Sequence, residues 1–109
     1  MLTVTFRRDS RDRLSSVFAS GHALRGDYGE DVVCAAVSAL LQAAWAGLTD
    51  VAGVRVEGTR RGGELALRWP EETRDRDDVR AIVATAELAI AQIARQEPGA
   101  VRYVRETEP

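Results

Sequence analysis

The chain contains no lysine. All fifteen basic residues are arginine, set against seventeen acidic ones, for a net charge of −2 over 109 residues. That balance argues against bulk electrostatic binding to nucleic acid, which needs a strong basic excess, so no direct nucleic-acid partner is expected. The arginine-only usage reads more simply as codon bias than as a set of phosphate ligands. One cysteine, Cys34, excludes a disulfide within the chain. One histidine, His22, leaves two good metal ligands and no Cys-x-x-Cys or His-x-x-x-His spacing, so neither a metal nor a cofactor is expected. The longest apolar run, Val32–Leu48, is broken by Ser38 and Gln42 and is expected to fall short of a membrane span. The N-terminus shows no cationic segment followed by an apolar stretch. A cytoplasmic protein without a membrane partner is the expectation.

What is present is enough for one folded domain over residues 1–109, with 45% hydrophobic and 29% charged residues. Leu2, Val4 and Phe6 alternate with Thr3, Thr5 and Arg7, the period-two pattern of a strand with one buried face. Arg8–Asp12 is polar and turn-forming, and Leu14–Ala19 reads as the partner strand of a hairpin. Asp31–Leu48 has helical periodicity: Val33, Val37, Leu40, Leu41, Ala44 and Leu48 share a face, with Cys34 and Ser38 on its flank near Trp45. The opposite side is alanine-rich, through helix propensity alone or as a packing face for a second subunit. Val54–Glu57 and Glu64–Trp69 read as two strands around the turn Gly58–Gly63. An aspartate of the charged connector Glu71–Asp78 is expected to cap a second helix, whose core face is Val79, Ile82, Val83, Ala86, Ile90 and Ile93. Pro98-Gly99 ends it, and Val101–Val104 is a candidate short last strand.

The order strand-strand-helix-strand-strand-helix predicts a two-layer α+β domain, both helices on one face of a mostly antiparallel sheet. The other face is then exposed or covered, and a homodimer is the economical solution.

The chemistry concentrates in Gly21–Ser38, which holds both His22 and Cys34. A buried cysteine is usually a small hydrophobe. Position argues otherwise, because the first turn of a helix opened by Asp31 stabilises a thiolate. His22 is a candidate base if the loop containing Gly26 and Gly29 folds back, and a surface residue without a task if it does not. Asp31 reads first as a helix cap, and as an orienting group for the imidazole second. Ser38, one turn beyond Cys34, is either a hydrogen-bond donor at the site or a helix serine bonded back to the carbonyl at position 34. Backbone N–H groups around Val33–Ala35 are candidate oxyanion donors. Gly21 suits a tight turn, and Tyr28 either contacts a bound chain or pins the loop. A redox-sensing thiol is disfavoured by the lack of a resolving cysteine.

Gly21-His22-Ala23, Gly26-Asp27-Tyr28-Gly29 and Asp31-Val32-Val33-Cys34-Ala35-Ala36-Val37-Ser38 together resemble the signature of the ribosomal-processing cysteine proteases, the Prp family. The resemblance implies a cytoplasmic cysteine endopeptidase, typically dimeric, that removes the N-terminal extension of the precursor of large-subunit ribosomal protein twenty-seven. It implies Cys34 as nucleophile and His22 as base, with Gly21, Asp31 and Ser38 at matching motif positions. The competing class is a non-catalytic ribosome-assembly or peptide-binding module of the same fold.

Overall fold

The computed structural model describes residues 1–21 and 28–109, with the side chains of residues 28–31 outside the description. Strands β1 (Leu2–Arg8) and β2 (Leu14–Ser20) form the expected antiparallel hairpin. Leu2, Val4 and Phe6 turn inward with Val17 and Ala19. The register shifts between Arg7 and Arg8, which face Ser16 and Leu14, so Ser15 is the extra residue of a bulge. Ser15 is fully buried, and its hydroxyl donates to the Arg7 carbonyl oxygen at 3.2 Å, which satisfies it.

Helix α1 (Tyr28–Ala46) begins three residues before the expected start and continues into a wide turn of helix at Gly47–Val51. Asp31 therefore lies inside the helix and is not its cap. Carboxylates are favourable anywhere in a first turn, so an aspartate there does not mark the boundary. The inward stripe is as expected, with Val37, Leu41, Ala44 and Leu48 buried. The expectation that this run falls short of a span is corrected. Val32–Val51 is long and apolar enough to cross a membrane by length and composition, at a mean hydropathy of 1.7. Its stripe is nonetheless packed in the core of this domain.

Strands β3 (Glu57–Arg61) and β4 (Glu64–Arg68) meet through the two-residue turn Gly62-Gly63, so the expected strand at Val54–Glu57 and its six-residue turn are displaced. Two glycines, Gly62 at φ 56°, permit the tight turn that suits strand twist. Val54 is instead tied to the end of the helical segment, its N–H donating to the Leu48 carbonyl at 2.8 Å. Gly58, opposite Leu67, lies under the Trp45 ring. A Cβ there would sit 2.7 Å from Trp45 Cε2 and closer still to Cζ2. Gly58→Ala is expected to force the indole aside and cost about 1–3 kcal/mol, read as a lower urea midpoint at unchanged slope.

A short 3₁₀ turn, Glu71–Thr73, leads to α2 (Asp77–Gln96). Its N-cap position is Arg76, so the aspartate cap is not found. Asp78 accepts from the Val79 N–H at 2.8 Å within the first turn, and the Arg76 guanidinium bonds both Asp78 and the Ala52 carbonyl oxygen. Val79, Val83, Ala86 and Ile90 are buried, with Ile82 and Ile93 half-buried. Strand β5 (Val101–Thr107) is longer than expected and runs parallel to β1, giving a sheet of order β3-β4-β2-β1-β5 with every other pairing antiparallel. The two-layer α+β expectation holds, with α1 and α2 sharing one hydrophobic core with the inner sheet face. Thr3, Thr5 and Arg7 alternate with the buried residues of β1 and face outward. Phe18 is a large apolar residue exposed on β2.

At the hairpin end, charged groups stand where the sequence suggests only a turn. Asp9 accepts from the backbone N–H groups of Arg11 and Arg13 and from the guanidiniums of Arg13 and Arg74. Arg74 also donates from Nε and Nη2 to the Trp69 carbonyl oxygen, at 3.2 and 2.9 Å. Arg8 grips Glu87 of α2 with two bonds, of 3.0 and 2.8 Å, and Tyr103 Oη donates to the same carboxylate at 2.8 Å. Strands β1 and β5 are thereby pinned to α2.

Candidate active site

The opposite end of β1 carries the site. A cavity of about 260 Å³ opens where the start of β1 and the end of β2 meet the side of α1. Its apolar lining comes from Leu2, Ala19, Val37, Leu41 and Leu65. Its exposed polar lining is Ser38, Gln42, Arg60 and Glu64, with the backbone of Gly62 and Gly63. Cys34 lines it too. At 8% exposure Cys34 belongs to the buried core cluster, deeper than the flank position expected from the helical wheel. The wheel treats α1 alone and holds no record of what packs against its flank.

Ser38 is exposed on the same side one turn on. Thr85 on α2 donates back to the Ala81 carbonyl at 2.6 Å. Ser38 makes no such side-chain bond among the described residues, which leaves its hydroxyl available to the cavity. Gly21 also lines the cavity. Its φ is 130°, and a Cβ there would overlap the Met1 carbonyl oxygen, so the position needs glycine. Its N–H donates to the Gly63 carbonyl oxygen at 3.3 Å, joining the end of β2 to the β3–β4 turn.

Gly21, Cys34 and Ser38 are thus brought together by one cavity. His22 and Gly26 lie outside the described residues. Tyr28, Gly29 and Asp31 are described only as backbone in the opening turns of α1. The early helix start changes one expectation. Cys34 falls in the second turn, and the N–H groups of Val33–Ala35 are past the four unpaired ones, bonded within the helix and not available as oxyanion donors. Among the described residues no group of three His, Cys, Asp or Glu side chains has an arrangement that would hold a metal ion. Arg60, in the stretch expected as a turn, also lines the cavity. The signal for it is its place in a strand ending at Gly62-Gly63.

The family model described as cysteine protease Prp matches residues 1–102. Two ribosomal processing cysteine proteases Prp, from Staphylococcus aureus strains Mu50 and NCTC 8325, are 42% identical over 41 residues, 38% of this chain; the matched stretch spans 39% of those relatives' length. The crystal structure of the S. aureus protease with a covalently linked product peptide superposes with a TM-score of 0.84 at 24% identity, and the one with a substrate peptide with 0.86 at 23%. Both cover 96% of this chain and 99% of theirs, and at that identity they show the fold. SMU.848 from Streptococcus mutans is 28% identical, with a TM-score of 0.84 over 99% of this chain and 96% of its own. On a family match that runs from Met1 to Arg102, this chain belongs to the Prp cysteine protease family.

Proposed function

We propose that this chain is a cysteine endopeptidase that removes the N-terminal extension of the precursor of large-subunit ribosomal protein twenty-seven, with Cys34 as nucleophile and His22 as its base. The observation that carries the reading is that the sole cysteine lines a cavity with an apolar wall and a polar mouth, in a chain of this family. His22 takes the Cys34 proton, and the thiolate attacks the scissile carbonyl carbon to form a tetrahedral oxyanion. That intermediate collapses by breaking the C–N bond, and the imidazolium gives its proton to the leaving amine. Water then attacks the thioester, His22 takes its proton, and the acid product leaves as Cys34 recovers the thiol. With the amides of Val33–Ala35 engaged in α1, the Ser38 hydroxyl is our candidate donor to the oxyanion.

The setting belongs to the same proposal: a cytoplasmic homodimer without direct nucleic-acid or membrane contact. Net charge supports the first exclusion, and the exposed Ala35, Ala39, Ala43 and Ala46 of α1 suit close packing against a second copy. Burial of Cys34 favours a second reading, a peptide-binding module of the same fold without turnover.

Incubation with synthetic peptides spanning the ribosomal precursor's N-terminus, followed by mass spectrometry, separates the two. Cleavage at a single bond is the expected result, and intact peptides after prolonged incubation with stoichiometric protein overturn the protease reading. The pH dependence of Cys34 alkylation gives a parallel readout. A midpoint below the ordinary thiol value of about 8.5 supports catalysis, and one at that value supports the binding module.

A further inference from the structure

The sheet face turned away from the two helices carries no covering element among the described residues. Its side chains fall into three rows that cross all five strands. The ladder registers align Glu57, Arg68, Ser16, Arg7 and Glu106 in one outer row, in the order β3-β4-β2-β1-β5. Arg61, Glu64, Ser20, Thr3 and Arg102 form the other outer row. Between them run Thr59, Ala66, Phe18, Thr5 and Val104, a row without charge. Phe18 stands at its centre, 39% exposed, beside a groove of about 450 Å³.

The charges of the two outer rows are related. Two copies laid face to face share a twofold axis lying between their sheets. With that axis along the central row, each strand stacks on its own copy and the outer rows exchange. Glu57 then meets the partner's Arg61, Arg68 the partner's Glu64, and Glu106 the partner's Arg102. Each contact occurs twice, and all are between unlike charges. With the axis along β2, Glu57 meets the partner's Glu106, Arg68 the partner's Arg7, and Arg61 the partner's Arg102. Those contacts are all between like charges, and repulsion disfavours that arrangement. Within one protomer Arg7 holds Glu106 and Arg68 holds Glu108. Glu57, Arg61, Glu64 and Arg102 make no ion pair among the described residues, which leaves four charges of this face for a partner.

We propose that a second copy of this chain docks on the outer sheet face, about a twofold axis along the row centred on Phe18. This rests on the homodimer proposed above and names its surface, and the alanine face of α1 is the alternative that the test separates. The uncharged row supplies the apolar contact, with Phe18 and the partner's Phe18 as an offset aromatic pair. The flanking charges fix the register. Sheets stacked face to face lie about 10 Å apart, within reach of arginine and glutamate side chains extended from both.

Analytical ultracentrifugation of the full chain, from about 1 to 500 μM, follows the association by mass action. The wild type is expected to sediment as a dimer of the 11.9 kDa chain at the upper end. Phe18→Asp should weaken association about thirtyfold or more, as loss of a central aromatic anchor does. Glu57→Arg and Arg61→Glu, both at exposed positions, should each weaken self-association about tenfold by opposing like charges. Mixed one to one, these two variants should recover wild-type affinity as a heterodimer. One then brings two positive charges to the shared contacts and the other two negative ones. Circular dichroism of all variants should match the wild type, and if Phe18→Asp fails to fold, the charge variants and their mixture decide. A dimer untouched by the three substitutions overturns the sheet interface and leaves the homodimer to another face. Weakening by Phe18→Asp alone, or charge variants weakened without rescue on mixing, overturns the axis and with it the proposal. A wild type monomeric at every concentration overturns the homodimer as well, while peptide cleavage tests the protease reading separately.

Discussion

Cys34→Ala is expected to lower cleavage of the precursor peptide by about a thousandfold or more, because no other side chain in the sequence supplies a thiolate. The loss belongs to kcat, since the cavity walls of Leu2, Val37, Leu41 and Leu65 remain to bind peptide. The fold should survive. Removing one sulfur from a site 8% exposed resembles removing a small hydrophobic group, about 1 kcal/mol. Initial rates by mass spectrometry, alongside urea denaturation of the same preparation, check both halves. Cleavage within tenfold of wild type would move the chemistry away from Cys34.

Asp9→Asn is expected to be the costliest single change to stability outside the apolar core. Arg74 is 6% exposed and Asp9 is 7% exposed, with Nη1 3.0 Å from Oδ2. Breaking a buried pair leaves one charge uncompensated, at about 3–5 kcal/mol. At roughly 4–8 °C per kcal/mol for a small domain, the melting temperature should drop well over 10 °C. Burial by itself pushes the Asp9 carboxyl up. The N–H groups of Arg13 and Arg11 and the guanidiniums of Arg74 and Arg13 outweigh it and hold the group well below the usual carboxylate range. A depressed folded value contributes stability above the unfolded value, near 3.9, and loses it as pH falls toward the folded one. The wild type should therefore lose stability steeply between about pH 5 and the lowest pH reached, and Asp9→Asn should lose much less over that interval. Parallel acid profiles for the two proteins would show that Asp9 is not the group responsible.

The local periodicities were legible because they repeat along the chain. Alternation located β1 and β2, and the 100° stripe found the buried faces of both helices. Cys34 and Ser38 were placed together by spacing alone, and the structure keeps both on one cavity. Misplaced features were boundaries and partners. Asp31 reads as a cap because an acidic residue is favourable at the cap and throughout the first turn alike. The β3–β4 turn reads as six residues because Val54 and Val56 look like strand residues until Val54 is bound to the end of the helical segment. Glu87 sits off the apolar stripe of α2, yet it is drawn inward by Arg8 and Tyr103. A helical wheel holds no record of what the neighbouring strands bring.

By itself, the sequence determined the two-layer composition, the family signature in Gly21–Ser38 and the identity of the one thiol. These depend on residue type and on spacings of at most a few turns. The tertiary structure alone decided that β5 runs parallel beside β1, that Asp9 meets Arg74 and that Cys34 is covered. Asp9 and Arg74 are 65 positions apart. No periodicity spans such a separation, and only packing brings those side chains to hydrogen-bonding distance.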